Sequence, residues 1–256
     1  MWLRSAAGPV ARSQARLTRD GDLTEANHKR RQRFPEESIR DCLRTLEVGT
    51  LEDLFEIIPR IGVLRDARFD EPLRRLLAGT DIKKREFAAY AMGAMGDRRF
   101  LGSLKEAFVR AGGLRGADAE DLMVAIIEAI GALGDDAAVD FFLPMLLGDA
   151  AERVSGKLGG WIVESLGAVA QQGGERTAEA LVELTRHPDG ELRARALTEL
   201  SVAYWHRPNE IPDSTLSRIH ELTNDRNKAV AESAVSALQG LADVGCRRAE
   251  KLFETR

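Results

Sequence analysis

Residues 124–148 read VAIIEAIGALGDDAAVDFFLPMLLG, and the six at the centre, Ile130-Gly-Ala-Leu-Gly-Asp135, are one copy of a phrase the chain repeats. Met92-Gly-Ala-Met-Gly-Asp97 is almost the same, and Leu166-Gly-Ala-Val-Ala-Gln171 is a looser version. Fainter copies stand at Ile61-Gly-Val-Leu-Arg-Asp66 and Leu238-Gln-Gly-Leu-Ala-Asp243. A phrase recurring at this period marks a supersecondary unit that buries its apolar face only by stacking on copies of itself. Taking the opening apolar residue as an anchor gives Ile61, Met92, Ile130, Leu166, Leu200 and Leu238, spaced 31, 38, 36, 34 and 38 residues apart. Such uneven spacing suits helical hairpins joined by loops of variable length.

Each anchor lies late in an amphipathic segment, the second helix (B) of a pair, with a shorter first helix (A) before it. The spacing predicts pairs at 36–47 with 51–64, 70–78 with 82–95, 98–111 with 118–133, 136–147 with 150–171, 175–186 with 190–204, and 213–222 with 226–242. A last helix near 245–254 closes the stack. The punctuation agrees. Gly96 and Gly134 follow the last periodic apolar residues, where a left-handed residue ends a helix. Asp97 and Asp135 are placed to cap the next A helix, and Asp81, Asp118 and Asp189 to cap B helices. Thr50 with Asp53 reads as a capping box. Pro72 and Pro212 fall in first turns, where a missing N–H costs little, and Pro59 is expected to kink or shorten the first B helix.

Composition supports an all-α chain. Good helix formers dominate, aromatics are 5% of residues, and runs of strand-favouring Val, Ile, Thr and Tyr are lacking. The net charge of -4 hides an asymmetry: residues 1–33 hold eight Lys/Arg against three Asp/Glu, or +5, which leaves -9 for the rest. Residues 1–34 therefore read as a basic, unstructured tail ahead of a solenoid at 35–256, in preference to a mitochondrial presequence. An acidic body disfavours gripping a phosphate backbone. No apolar run is long enough to span a membrane, and no secretory signal core is evident. Cys42 and Cys246, near opposite ends of the array, are expected to be reduced and half-buried. A cytoplasmic protein is the resulting expectation.

The stretch 124–148 resembles a HEAT repeat, closest to the short bacterial type known as phycobilisome-lyase-like HEAT repeats. The resemblance covers residues 50–245 and is strongest in the third and fourth units. It implies a right-handed α-α superhelix, a HEAT-like solenoid of about six hairpins plus a terminal helix, with the B helices lining the concave side. It implies no particular activity, since most such proteins are binding scaffolds.

Catalytic and metal motifs are lacking. His28, His187, His206 and His220 form no His-x-x-x-His spacing and no His-Glu pair, unlike the HEAT-like deoxyhypusine hydroxylases, and there is no Gly-x-Ser-x-Gly elbow. The Gly-x-x-Gly spacing follows a helix rather than a strand and lacks a phosphate-loop lysine, so these glycines read as close-packing and stop signals. No catalytic residue, metal ligand or cofactor is therefore expected.

A binding surface is the better candidate. Two residues before each anchor stand Tyr90, Glu128, Glu164, Thr198 and Ser236, a mostly polar row across stacked B helices. Glu128 and Glu164 should be neighbours, making an acidic spot in the groove. Five before the anchor, Trp161 follows Gly159-Gly160, which makes its ring a candidate binding anchor at a more open part of the groove, although a core tryptophan between repeats is the favoured reading. Trp205, in Tyr204-Trp-His-Arg207 at the end of the fifth B helix, is a second aromatic anchor. Lys83-Lys84-Arg85 reads as a solvated basic face. The expectation is a non-catalytic protein-binding scaffold or adaptor that holds another protein in its concave groove. The alternatives are a bilin-lyase-like enzyme subunit or chaperone, and a HEAT-like DNA-binding or glycosylase protein, the latter disfavoured by charge.

Overall fold

The computed structural model describes residues 35–148 and 156–254. Residues 1–34, read above as a basic tail, and 150–155, read as the start of a B helix, lie outside the described residues. Among the described residues the chain is all helix, turn and loop, with no strand. The first pair is α1 (35–48) with α2 (Leu51–Glu56) and α3 (Ile58–Leu64). The following pairs are α4 (Asp70–Ala78) with α5 (Ile82–Met95), and α6 (Leu101–Ala111) with α7 (Ala117–Ala132). Then come α8 (Ala138–Leu147) with α9 (Gly156–Gln171), and α10 (Glu175–Leu184) with α11 (Gly190–Ala203). The stack ends with α12 (Asp213–Leu222), α13 (Lys228–Asp243) and α14 (Arg247–Glu254).

Local chemistry explains most boundaries. The Asp81 side chain accepts from the backbone N–H of Lys83 and Lys84, Asp189 from Glu191, and Thr50 with Asp53 forms both halves of a capping box. Each such cap contributes about 1 kcal/mol. Gly96 and Gly134 end their helices in the left-handed conformation, φ 63° and 61°. Asp97 and Asp135 start the next unit by accepting from the N–H of Arg99 and Ala137. Pro59 breaks the first B helix into α2 and α3, with Ile57 at the joint.

Three expectations change in detail. Asp118 is not an N-cap: Gly116, at φ 103°, holds that position and Asp118 lies inside the first turn of α7, where a carboxylate still favours the helix dipole. Pro212 is itself the N-cap of α12 rather than a first-turn residue. The units expected to begin as α-helix at 70 and 98 are led in by short 3-10 turns, Ala67–Phe69 and Arg98–Phe100, whose buried Phe69 and Phe100 plug the A layer.

All six anchors are fully buried, each contributing about 2–3 kcal/mol of apolar burial. The B helices pack on one another along their length, α3 on α5, α5 on α7, α7 on α9, α9 on α11 and α11 on α13, whereas consecutive A helices meet over much shorter stretches. The first glycine of the repeated phrase explains this. A Cβ built on Gly93 would lie 2.9 Å from the Cα of Ala129, and one on Gly131 would lie 3.1 Å from the Cα of Ser165. The A layer is held apart by rings: Phe108 of α6 meets Phe141 and Phe142 of α8 edge-on at 5.7 and 6.2 Å. Helix spacing follows the size of the side chains at the contact. The stack therefore curves toward the B side, which forms its concave face.

Cys42 and Cys246 are both free, and both are wholly buried rather than half-buried as the sequence suggested. Among the described residues no helix is long and apolar enough to cross a membrane.

Candidate functional site

The repeated register places one residue per B helix on the concave face. Tyr90 of α5 is half-buried, its ring edge-on to Phe55 of the preceding unit at 6.4 Å. Its hydroxyl donates to Glu128 of α7, which is exposed. Partial burial pushes the Glu128 carboxyl above its ordinary range, the Tyr90 hydroxyl works against this, and the charge of Glu164 on α9 adds to it. Glu128 and Glu164 are thus electrostatic neighbours. Glu164 is not free, however: Arg195 of α11 pairs with it and, at 3.2 Å, with Glu191. Thr198 is exposed on α11, its hydroxyl donating to Ala194 O at 3.3 Å. Ser236 continues the row on α13 and is also exposed.

The two tryptophans occupy different places. Trp161 lies one turn before Glu164 on α9 and is half-buried against the core. The glycines ahead of it do not open the groove. A Cβ on Gly159 would meet Leu192 at 3.3 Å, and one on Gly160 would meet the Arg195 guanidinium at 2.9 Å, so α11 fills that space. Trp205 is 46% exposed beyond the end of α11, beside Gly240 of α13. It sits at the rim and does not join the row.

One groove residue escaped the sequence reading. Glu199 stands directly before the anchor Leu200, where the first unit has Arg60 and the others have Ala91, Ala129, Ser165 and Ala237. Its carboxylate lies against Gly167, so close that a Cβ there would clash. Burial, with Glu164 adding and Arg195 opposing, pushes its pKa up to about 7. A carboxyl at that value is half protonated near neutrality and both donates and accepts hydrogen bonds. The readable signal was a single acid in a column that is otherwise small from the second unit onward.

At the other end of the B helices the basic triplet is consumed internally. Lys83 pairs with Glu86 at 2.9 Å, Asp118 at 3.2 Å and Asp121 at 3.4 Å. Arg85 is only 7% exposed, and its Nε and Nη2 find no hydrogen-bond partner. Arg85 is therefore not part of a solvated face, while Lys83 and Lys84 stay partly exposed. Among the described residues no three His, Cys, Asp or Glu side chains are grouped to hold a metal ion.

Neither a family model nor a curated protein matches the sequence. Several solved structures do. The CpcE–CpcF complex of phycocyanin lyase from Nostoc sp. is 16% identical, with 98% of this chain and 99% of that one covered and a TM-score of 0.44. An engineered protein is 18% identical over 80% of this chain and 96% of its own, TM-score 0.42. A designed armadillo repeat protein is 14% identical over 78% and 98%, TM-score 0.40. The architecture itself rests on the chain's own helices: paired, stacked through buried anchors, and closest along the B side. The chain is an all-α solenoid of stacked helical hairpins.

Proposed function

We propose that this protein is a non-catalytic binding scaffold whose concave B-helix face holds a segment of another protein, with cationic side chains meeting Glu128 and Glu199. The observation that carries this reading is the row itself. Five consecutive B helices each present a residue from one register position, and two carboxyls with no ion pair among the described residues, Glu128 in the row and Glu199 beside it, flank the neutralised Glu164. A rigid surface of this kind costs little ordering entropy on binding, so modest contacts suffice. Arg195 fixes Glu164 in place, which leaves its two neighbours to select a partner with spaced positive charges.

The test is capture from native lysate with a photo-crosslinking residue at Thr198, an exposed member of the row. One protein should be enriched stoichiometrically, and Glu128→Lys with Glu199→Lys should abolish its capture while leaving the helical signal unchanged. Undiminished capture by the reversed variant would remove the groove from the mechanism. A bilin that changes its spectrum on addition of the chain would instead favour a lyase-like role.

A further inference from the structure

Cations tie the outer A layer together at a repeated place. Arg68, just ahead of α4, donates to Glu36 in the first turn of α1 at 2.9 and 3.0 Å. Arg99, just ahead of α6, pairs with Asp70 at the start of α4 at 3.4 Å. Arg176, second residue of α10, pairs with Asp140 of α8, and Arg248, second residue of α14, pairs with Asp213 of α12. In each case an arginine at the start of one A helix meets an acid at the start of the A helix before it.

Two gaps depart from this pattern: between α6 and α8 Lys105 donates to Ala137 O instead, and the other lies between α10 and α12. The second residue of α12 is Ser214. Across from it, Glu175 and Glu179 of α10 line the same cleft, and neither has a hydrogen-bond or ion-pair partner among the described residues. The far end of the gap is fastened: Arg218 donates to Thr185 Oγ1 and Thr185 O, both at 3.0 Å. The near end is held open by the loop after α11, which leaves a cleft of about 530 Å³.

Two side chains that are themselves buried line this cleft with hydroxyls. Tyr204 is 8% exposed and Thr215 4%, both line it, and neither hydroxyl has a hydrogen-bond partner among the described residues. Neither oxygen is sealed off as a buried unpartnered atom, so each is reached through the cleft and takes its hydrogen-bond partner from whatever fills it. The carboxylates of Glu175, Glu179 and Glu210 all act on the Tyr204 hydroxyl. Arg207 is the cation of the cleft, and it is already committed. Its Nη2 donates to Ala170 O at 2.8 Å, its guanidinium stacks on the Tyr204 ring at 5.4 Å, and it faces Glu210 at 3.7 Å. Three glutamates against one arginine leave a formal charge of -2 in the cleft.

We propose that this cleft binds an alkylammonium or guanidinium group, whose charged head takes the place that an arginine has in the neighbouring gaps. The head lies between Glu175, Glu179 and the Tyr204 hydroxyl, which accepts an N–H. The aliphatic stem lies against Val182 and Pro212, the apolar part of the lining. The group comes from a free amine or from a lysine or arginine side chain of a bound protein, and the chemistry of recognition is the same for both.

The experiment follows amide chemical shifts of the full chain at low salt while butylammonium, spermidine, the peptide acetyl-Gly-Lys-Gly-amide and, as a control, butyrate are titrated in. The cations should saturate near the millimolar range and butyrate should not bind. Glu175→Gln with Glu179→Gln should weaken cation binding about tenfold, as loss of charge-assisted bonds does, and Tyr204→Phe should weaken it severalfold without loss of fold. Ser214→Arg should supply the cation internally, raise the Tm and abolish binding. Peptide binding tighter than spermidine assigns the site to a protein side chain, and the reverse order assigns it to a free polyamine. Equal shifts with butyrate, undiminished binding in the double glutamine variant, or full binding in Ser214→Arg would each overturn the proposal.

Discussion

The two helix layers are joined by different means. On the inner side, helices touch through glycine and alanine: Gly93 on Ala129, Gly131 on Ser165. On the outer side they are spaced by phenylalanine rings and bridged by arginine–acid pairs 29 to 36 residues apart. The inner joint depends on shape and tolerates no added volume. The outer joint depends on charge at a solvent-washed surface and tolerates substitution. Variation that alters function without unfolding the chain is therefore expected on the outer layer and on the exposed groove row, not at the inner contacts.

The largest effect should come from the inner joint. Gly131→Val adds volume where even a methyl carbon would lie 2.7 Å from Ser165 Oγ and 3.1 Å from its Cα. Ser165 cannot swing away cheaply, because its hydroxyl donates to Ile127 O at 2.9 Å across the same interface. A loss of about 3 kcal/mol in urea unfolding is expected. A loss below 1 kcal/mol would show that the two helices part easily, and the shape account of the inner layer would fail.

Next in size is a gain. Arg85 is the inner layer's exception, a buried guanidinium whose Nε and Nη2 are unpartnered and whose pKa is lowered by burial and by Arg110. Arg85→Met keeps the stem and removes the charge, and should stabilise by about 1–3 kcal/mol. Destabilisation would mean that the buried charge is compensated.

A smaller, pH-dependent gain is expected at Glu199. Its folded-state pKa of about 7 lies above the ordinary 4.5, so folding favours the protonated form. The associated stability is fully present below pH 4.5 and is lost as pH rises through 7. Glu199→Gln should therefore match the parent at pH 4.5 and exceed it at pH 8 by about 1 kcal/mol, a figure reduced for the solvent that still reaches the carboxyl. Parallel stability curves from pH 4 to 9 would remove the titration. The same variant should not perturb the outer layer.

These contrasts show what sequence could and could not convey. The caps, the anchors and the pairing were legible because each is local: Asp81 and its amides, Gly96 and its left-handed turn, Met92 and its period. The row of Tyr90, Glu128, Glu164 and Thr198 followed from register alone. Its electrostatics did not, since Arg195 reaches Glu164 from 31 residues away and its rotamer is set by packing over Gly160. For Trp161 the glycine pair reads as open space until the partner helix is known to fill it, and its half-buried place is that of a tryptophan packed between repeats. Glu199 was visible only by aligning the residue before each anchor. The outer clamps were hidden because an arginine and an acid one repeat apart are indistinguishable from ordinary surface charge.

The smallest effect should be found at one of those clamps. Arg176 and Asp140 are half-exposed, and their pairing holds the Asp140 carboxyl below its usual range. Arg176 also anchors little else through its side chain, while its backbone N–H donates to Asp136 whatever the side chain is. Arg176→Gln should lower the Tm by only about 1–2 °C at low ionic strength. The difference should vanish at about 0.5 M salt, where the screening length falls below the size of the gap. A larger or salt-insensitive loss would mean that the outer layer is held as rigidly as the inner one. In that case the stack could not flex between its A helices, and clefts such as the one at Tyr204 would be fixed in width rather than adjustable to what they bind.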